Sequence, residues 1–205
     1  MKTLWKTYRW KVFFAVTLLF LLLQLVGEYI ATTHLSGYVA FVAHTQYYTV
    51  IFNLLVVIAI AQIMQYFHER PLPIIIAYVY ALLNTIFLVS AILIYGPTYR
   101  VPLIGEFLLL LYSVFGLLRV KALEISRYFK VIAGLNCLSI LLTMTYSLFA
   151  GTDSFLRSGI VEAVYYIVLL LPYVLVLVIL YRMMRLPGVP RSIQHDIDSI
   201  GDRRF

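Results

Sequence analysis

The stretch PLIGEFLLLLYSVFGLLRVK (residues 102–121) decides how the rest of the sequence is interpreted. Between Leu103 and Leu118 it carries a single charge, Glu106, and is otherwise as apolar as a helix in contact with lipid. The twelve uncharged residues from Phe107 to Leu118 cover only about 18 Å as a helix, at about 1.5 Å per residue. Because a bilayer core is about 30 Å thick, a helix that crosses it here must include Glu106.

The composition of the whole chain is that of a membrane protein. Of its 205 residues, 63% are hydrophobic and 12% are charged, whereas soluble domains carry about 25% charged residues. The apolar runs are continuous and do not alternate with a period of two, which favours helices over a membrane barrel. We therefore predict an all-α integral membrane protein with a single bundle of six transmembrane helices in residues 1–186. The spans are predicted at about residues 11–31, 48–67, 72–95, 102–119, 131–150 and 159–182.

The positive charges predict the orientation of this bundle. The chain has 16 Lys and Arg, and in the six-span topology only Arg100 and Arg157 fall on the side opposite the two termini. The positive-inside rule then makes both termini cytoplasmic. The same flanking positions argue against a nucleic-acid partner, and we expect the bilayer to be the inner (plasma) membrane of a bacterium. The tail, residues 187–205, is predicted to be cytoplasmic, as a short amphipathic helix or as a disordered segment.

The segment ATTHLSGYVAFVAHTQ (residues 31–46) allows two interpretations. It is polar at both ends and apolar in the middle. The first interpretation is an outer loop that holds a short interfacial or re-entrant helix. The second is an early start of the second span.

Three glutamates are predicted at similar depth in the outer half of the bundle. Glu28 is near the end of the first span, and Glu106 and Glu162 each lie about one turn inside the starts of spans four and six. Charged side chains within a bilayer are costly and usually face the bundle interior. The three residues therefore predict an outward-facing acidic cavity for a cationic or amine-bearing small molecule, a metal ion or protons. The alternative is that each carboxylate reaches water or an arginine at the outer interface.

Polar residues within the spans extend this predicted ligand-binding set. Gln24 lies one turn before Glu28 on the same helix face. Asn53 lies in the outer half of the second span, and Asn84 lies near the middle of the third. Asn136 begins a polar stripe on the fifth span. Hydrogen bonding between helices is the alternative for all of these polar residues.

Motifs for catalysis or nucleotide binding are missing from the sequence, and no cofactor is indicated. The pattern favours a small-solute binding or transport subunit with an outward-facing acidic cavity. The alternative is a non-catalytic accessory or scaffold subunit that has a protein partner in a larger membrane complex. A second alternative is an intramembrane enzyme or proton-coupled carrier that uses the outer carboxylates.

Overall fold

The computed structural model describes residues 2–33, 35–95, 102–149 and 159–185, and these residues are helical apart from short turns. Five of the helices are long and apolar enough to cross a membrane, which confirms the prediction of a helical membrane protein. The predicted tail, residues 187–205, lies outside the described residues. The helices are α1 (Lys2–Thr33), α2 (Leu35–Tyr66), α3 (Pro71–Tyr95), α4 (Pro102–Leu111), α5 (Leu123–Phe149) and α6 (Gly159–Arg185).

The fourth predicted span is not a regular α-helix. Its α-helical part, α4, has only 10 residues. The backbone then widens into a π-helical turn at Tyr112–Gly116, called the π-turn below, and tightens into a 3₁₀ turn at Leu117–Arg119. The three pieces together cover residues 102–119, the bounds that the apolar run predicts.

The segment interpreted first as an outer loop is helical. α1 ends at Thr33 and α2 begins at Leu35, in agreement with the alternative of an early start to the second span. Threonine hydroxyls at the end of this segment and just after it bond to their own helix. The hydroxyls of Thr45 and Thr49 donate to the carbonyl oxygens of Phe41 and Thr45, over 2.8 and 3.1 Å. Such local bonds satisfy hydroxyls without ending the helix.

The helices form a ring in chain order. Each helix packs against the next, and α6 returns to pack against α1. The ring is apolar outside and partly polar inside. Leu93, Leu141 and Ile167 are 73%, 62% and 61% exposed, whereas Asn84 and Asn136 are buried. This distribution suits a bundle surrounded by lipid, because lipid solvates apolar side chains and polar groups must find partners within the bundle.

Segments rich in Lys and Arg meet at one end of the ring. The guanidinium carbon of Arg9 lies 4.3 Å from the ring centre of Trp10 and 5.9 Å from that of Tyr66. The guanidinium carbon of Arg182 lies 5.2 Å from the ring centre of Tyr128. The start of α1 and the end of α6 therefore share this end, called the basic end below, and the opposite end is called the far end. The basic end comprises residues 2–11, 67–70, 119–127 and 182–185.

Glu69 joins two turns at the basic end. Its Oε1 accepts a hydrogen bond from the backbone N–H of Arg70 over 3.0 Å. Its Oε2 accepts bonds from the backbone N–H groups of Lys121 and Ala122, each over 2.8 Å. Since Ala122 directly precedes α5, the carboxylate also lies at the positive end of that helix dipole. The buried Glu69 thus fastens the α2–α3 turn to the start of α5.

The end of α2 positions this carboxylate. His68 has a left-handed backbone with φ of 51°. The N–H of His68 donates to the carbonyl of Gln65 over 3.1 Å, and the N–H of Glu69 donates to that of Met64 over 3.0 Å. This is the Schellman closure of a helix, which usually has glycine at the left-handed position. It reverses the chain within four residues, before α3 begins at Pro71.

Candidate functional site at the centre of the bundle

The predicted glutamates are distributed over three helices. Glu28 is in the last part of α1 and Glu162 is in the first turn of α6, and these two helices are neighbours. Glu106 is in α4, which packs against α3 and α5. The side-chain positions of Glu28 and Glu162 lie outside the described part of the structure. Convergence of the three carboxylates on one cavity therefore stays a prediction.

Glu106 does not lie on the lipid-facing side of the fourth span. That side is marked by exposed apolar side chains, and Glu106 itself is half-buried. Leu109, three residues later and on the same helix face, lines a cavity at the centre of the ring. Glu106 thus lies about one turn beyond this cavity, toward the far end. The exposed residues are Ile104, Phe107, Leu111, Val114, Phe115 and Leu118.

The central cavity is small and has several polar groups in its wall. Its volume is about 40 Å³, and it is lined by residues of α2, α3, α5 and α6 and of the segment that comprises α4 and the π-turn. A cavity of this volume holds about one water molecule or a species of similar size. Its polar lining consists of amides and phenols, from Asn53, Tyr80, Tyr112, Asn136 and Tyr173.

Tyr112 is the most deeply buried polar residue of this wall. Its side chain is 3% exposed, and its hydroxyl has no hydrogen bond within the described structure. The ring stacks in parallel on that of Tyr80, with 4.4 Å between the ring centres. A buried polar group without a partner destabilises a fold by about 1–3 kcal/mol. A residue of the cavity wall therefore carries a buried hydroxyl that no protein group satisfies in the described structure.

The π-turn places Tyr112 at the cavity. Gly116 permits a close approach, because a Cβ at this position would lie 3.1 Å from the Tyr112 ring and 3.3 Å from Ile76. Asn136 of α5 donates a hydrogen bond to the hydroxyl of Ser113 over 3.1 Å, and both side chains are buried. This contact fixes the π-turn against α5. Single π-helical turns within longer helices occur frequently at functional sites.

The other predicted residues have different positions relative to the cavity. Asn53 lines it. Asn84 is buried on α3, one turn from Tyr80 toward the far end, and Gln24 is half-buried on α1. For Asn136, the bond to Ser113 confirms hydrogen bonding between helices.

The tyrosines of the cavity were not predicted from the sequence. Tyr80, Tyr112 and Tyr173 each occur in the middle of an apolar run, where a phenol is easily taken for one more aromatic packing residue. Their position in the predicted spans is the signal that could have identified them. Tyrosines that anchor a protein at the membrane interface lie near the ends of spans, whereas these three tyrosines lie near the middle.

The side chains that line this cavity offer hydrogen bonds, and the carboxylate of Glu106 lies about one turn beyond the cavity. Amides and phenols both donate and accept, so the wall suits a small polar species. No group of three or more His, Cys, Asp or Glu side chains is placed to hold a metal ion among the residues that the structure describes.

Comparison with known protein families, with curated proteins and with solved structures finds no match to this chain. Function is therefore inferred from the geometry of the bundle and from the chemistry of the side chains at its centre.

Proposed function

We propose that the protein is a small-solute binding or transport subunit, with a site at the centre of the bundle that is reached from the far end. The observation that carries this proposal is the central cavity, whose wall includes Tyr112, a residue with a buried hydroxyl that has no protein partner in the described structure. A solute that hydrogen-bonds to this hydroxyl recovers the free energy that its burial costs.

Glu106 defines the approach to this site and the charge of the solute. It lies six residues before Tyr112 in the same span, which corresponds to about 9 Å along a helix axis. Leu109 lies between them and lines the cavity. A carboxylate at this depth attracts cations and repels anions. Glu28 and Glu162, together with Gln24, are the other proposed polar groups of this acidic entrance.

The volume of the cavity limits the size of the solute. Sites for drug-sized molecules usually measure about 300–1,000 Å³, whereas this one measures about 40 Å³. The proposed solute is therefore a small monovalent cation or ammonium-type group that bonds to phenol and amide oxygens. Asn53 and Asn84 supply such amides on α2 and α3.

Thermal unfolding of the purified protein tests this proposal. The unfolding temperature is measured with sodium, potassium, ammonium and methylammonium chlorides at matched ionic strength. A ligand present at 100 times its Kd stabilises the native state by about 2.7 kcal/mol. We expect stabilisation by at least one of these cations in the wild type and its loss in Glu106→Gln. Glu124→Gln, which neutralises an exposed glutamate at the basic end, is the matched control and should respond like the wild type.

Two results contradict the proposal. One is equal stabilisation of the wild type and Glu106→Gln, which would remove this carboxylate from the site. The other is the absence of any cation-specific stabilisation in protein that circular dichroism shows to be folded.

An accessory role in a larger membrane complex is the second candidate function. It is favoured by the same small volume, because the central space is too small for most organic substrates. A subunit of this kind has a protein partner in the membrane. Purification in mild detergent should then yield one reproducible partner, and a stable isolated monomer would count against this function.

A further inference from the structure

A second, larger cavity opens at the basic end between α5 and α6. It has a volume of about 820 Å³ and is called the α5–α6 groove below. Tyr128 of α5 and Val174 and Val178 of α6 line it, together with Phe14 of α1 and Phe67 from the turn after α2. The two valines are each 38% exposed, so the groove is open to the surroundings of the bundle.

The length of the groove matches one leaflet of a bilayer. Its lining on α6 extends from Val174 to Arg185, which corresponds to about 16 Å along a helix. Half of a bilayer core of about 30 Å measures about 15 Å. The groove therefore extends from the level of the lipid headgroups to about the middle of the bilayer.

The mouth of the groove is basic. Arg182 and Arg185 lie there, in the last turn of α6. The guanidinium of Arg185 lies 4.4 Å from the ring centre of Tyr181, and that of Arg182 lies 5.2 Å from that of Tyr128. Stacking on aromatic rings orients a guanidinium and leaves its N–H groups available for phosphate oxygens. Glu124 lies at the same mouth, so the groove has a net charge of +1.

We propose that the α5–α6 groove binds one anionic phospholipid, with an acyl chain along Val174 and Val178 and the phosphate between Arg182 and Arg185. An apolar wall one leaflet deep, beneath two oriented arginines, is complementary to a lipid with a negative headgroup. This inference is independent of the solute proposed for the centre of the bundle.

Native mass spectrometry of the delipidated protein tests this inference. Phosphatidylglycerol and phosphatidylcholine with identical acyl chains are added at equal concentration, and the bound lipids are counted. We expect one phosphatidylglycerol to be retained in preference to phosphatidylcholine. Since a basic residue near a membrane surface contributes about 1 kcal/mol to anionic-lipid binding, the preference should fall about fivefold in Arg182→Gln and again in Arg182→Gln/Arg185→Gln.

Three matched variants distinguish a specific lipid-binding site from general attraction of anionic lipid to a basic surface. Arg127→Gln removes an exposed arginine of α5 outside the groove lining and should keep the preference. Val178→Trp fills the groove without a change in charge and should lose the bound lipid. Glu124→Gln should increase phosphatidylglycerol retention.

The inference is overturned if both lipids bind equally to the wild type. It is also overturned if Val178→Trp retains phosphatidylglycerol like the wild type, because the lipid would then bind to surface charge alone. Co-purification of a protein that occupies the groove and excludes phosphatidylglycerol would assign it to a partner helix and would contradict the lipid site.

Discussion

Replacement of Glu69 tests what fastens the basic end of the bundle. The carboxylate accepts three backbone hydrogen bonds, and two of them come from a turn more than fifty residues away in sequence. A hydrogen bond to a charged group contributes about 1.5–3 kcal/mol, and contact of the freed N–H groups with water reduces the total loss. We expect Glu69→Ala to lower the free energy of unfolding by about 2–4 kcal/mol. Glu69→Gln keeps one acceptor oxygen and should lower it by about half as much.

Thermal unfolding in a single detergent measures this effect. A change of 1 kcal/mol shifts the unfolding temperature of a chain of this size by about 2–4 °C, so Glu69→Ala should unfold about 4–16 °C below the wild type. Glu124→Gln, at an exposed position of the same end, should stay within about 0.5 kcal/mol of the wild type. The reasoning is refuted if Glu69→Ala unfolds at the wild-type temperature.

Substitutions at Gly116, Gly134, Tyr112 and His68 test local features of the fold by the same unfolding measurement. Gly116→Ala places a methyl group 3.1 Å from the Tyr112 ring and should destabilise the fold by about 1–3 kcal/mol. The methyl group of Gly134→Ala meets nothing within 4 Å, so this control should stabilise the fold by about 0.5–1 kcal/mol. Equal effects of the two substitutions would exclude close packing at Gly116. Tyr112→Phe removes an unpartnered hydroxyl and should leave stability unchanged or higher, and a clear loss would show that the hydroxyl has a structural partner. His68→Gly should be tolerated, because φ is 51° there, and His68→Val should cost more than about 1 kcal/mol, so equal tolerance of both would contradict the left-handed turn.

The membrane class and most helix positions are predictable from the sequence because they depend on local composition. A continuous apolar run of about 20 residues in a bilayer has to be helical, whatever its neighbours are. The segment from Leu35 to Gln46 shows where this reasoning is weak. Its scattered polar residues resemble a loop, but the helix continues through them, and the Thr45 hydroxyl bonds to the preceding helical turn.

The contacts that define the candidate site depend on residues that are distant in sequence. The prediction that Glu106 faces away from lipid follows from the energetic cost of exposing a charge to lipid, and the structure gives this side chain as partly buried. The π-turn does not follow from the letters YSVFG, since it depends on the fit of Gly116 against Ile76 and on the bond from Asn136. The capping role of Glu69 likewise requires two turns that only the folded chain brings together.

Cysteine labelling measures whether the proposed site at the centre of the bundle is reached from the far end. Cys137 is the single cysteine of the chain, so Cys137→Ser gives a background without thiols. In that background, Leu109→Cys reports on the cavity wall below Glu106, and Leu111→Cys reports on the lipid-facing side two residues later. Silver ion, a thiol-reactive monovalent cation small enough for this cavity, is added separately to each face of sealed vesicles, and the thiols that remain are counted after unfolding.

We predict that Leu109→Cys reacts with silver ion from the far end, that Leu111→Cys stays unreactive, and that Glu106→Gln slows the reaction of Leu109→Cys. A Leu109→Cys protein that is folded but unreactive from both faces would contradict a polar path to the centre. Reaction from the basic end alone would contradict the direction of access.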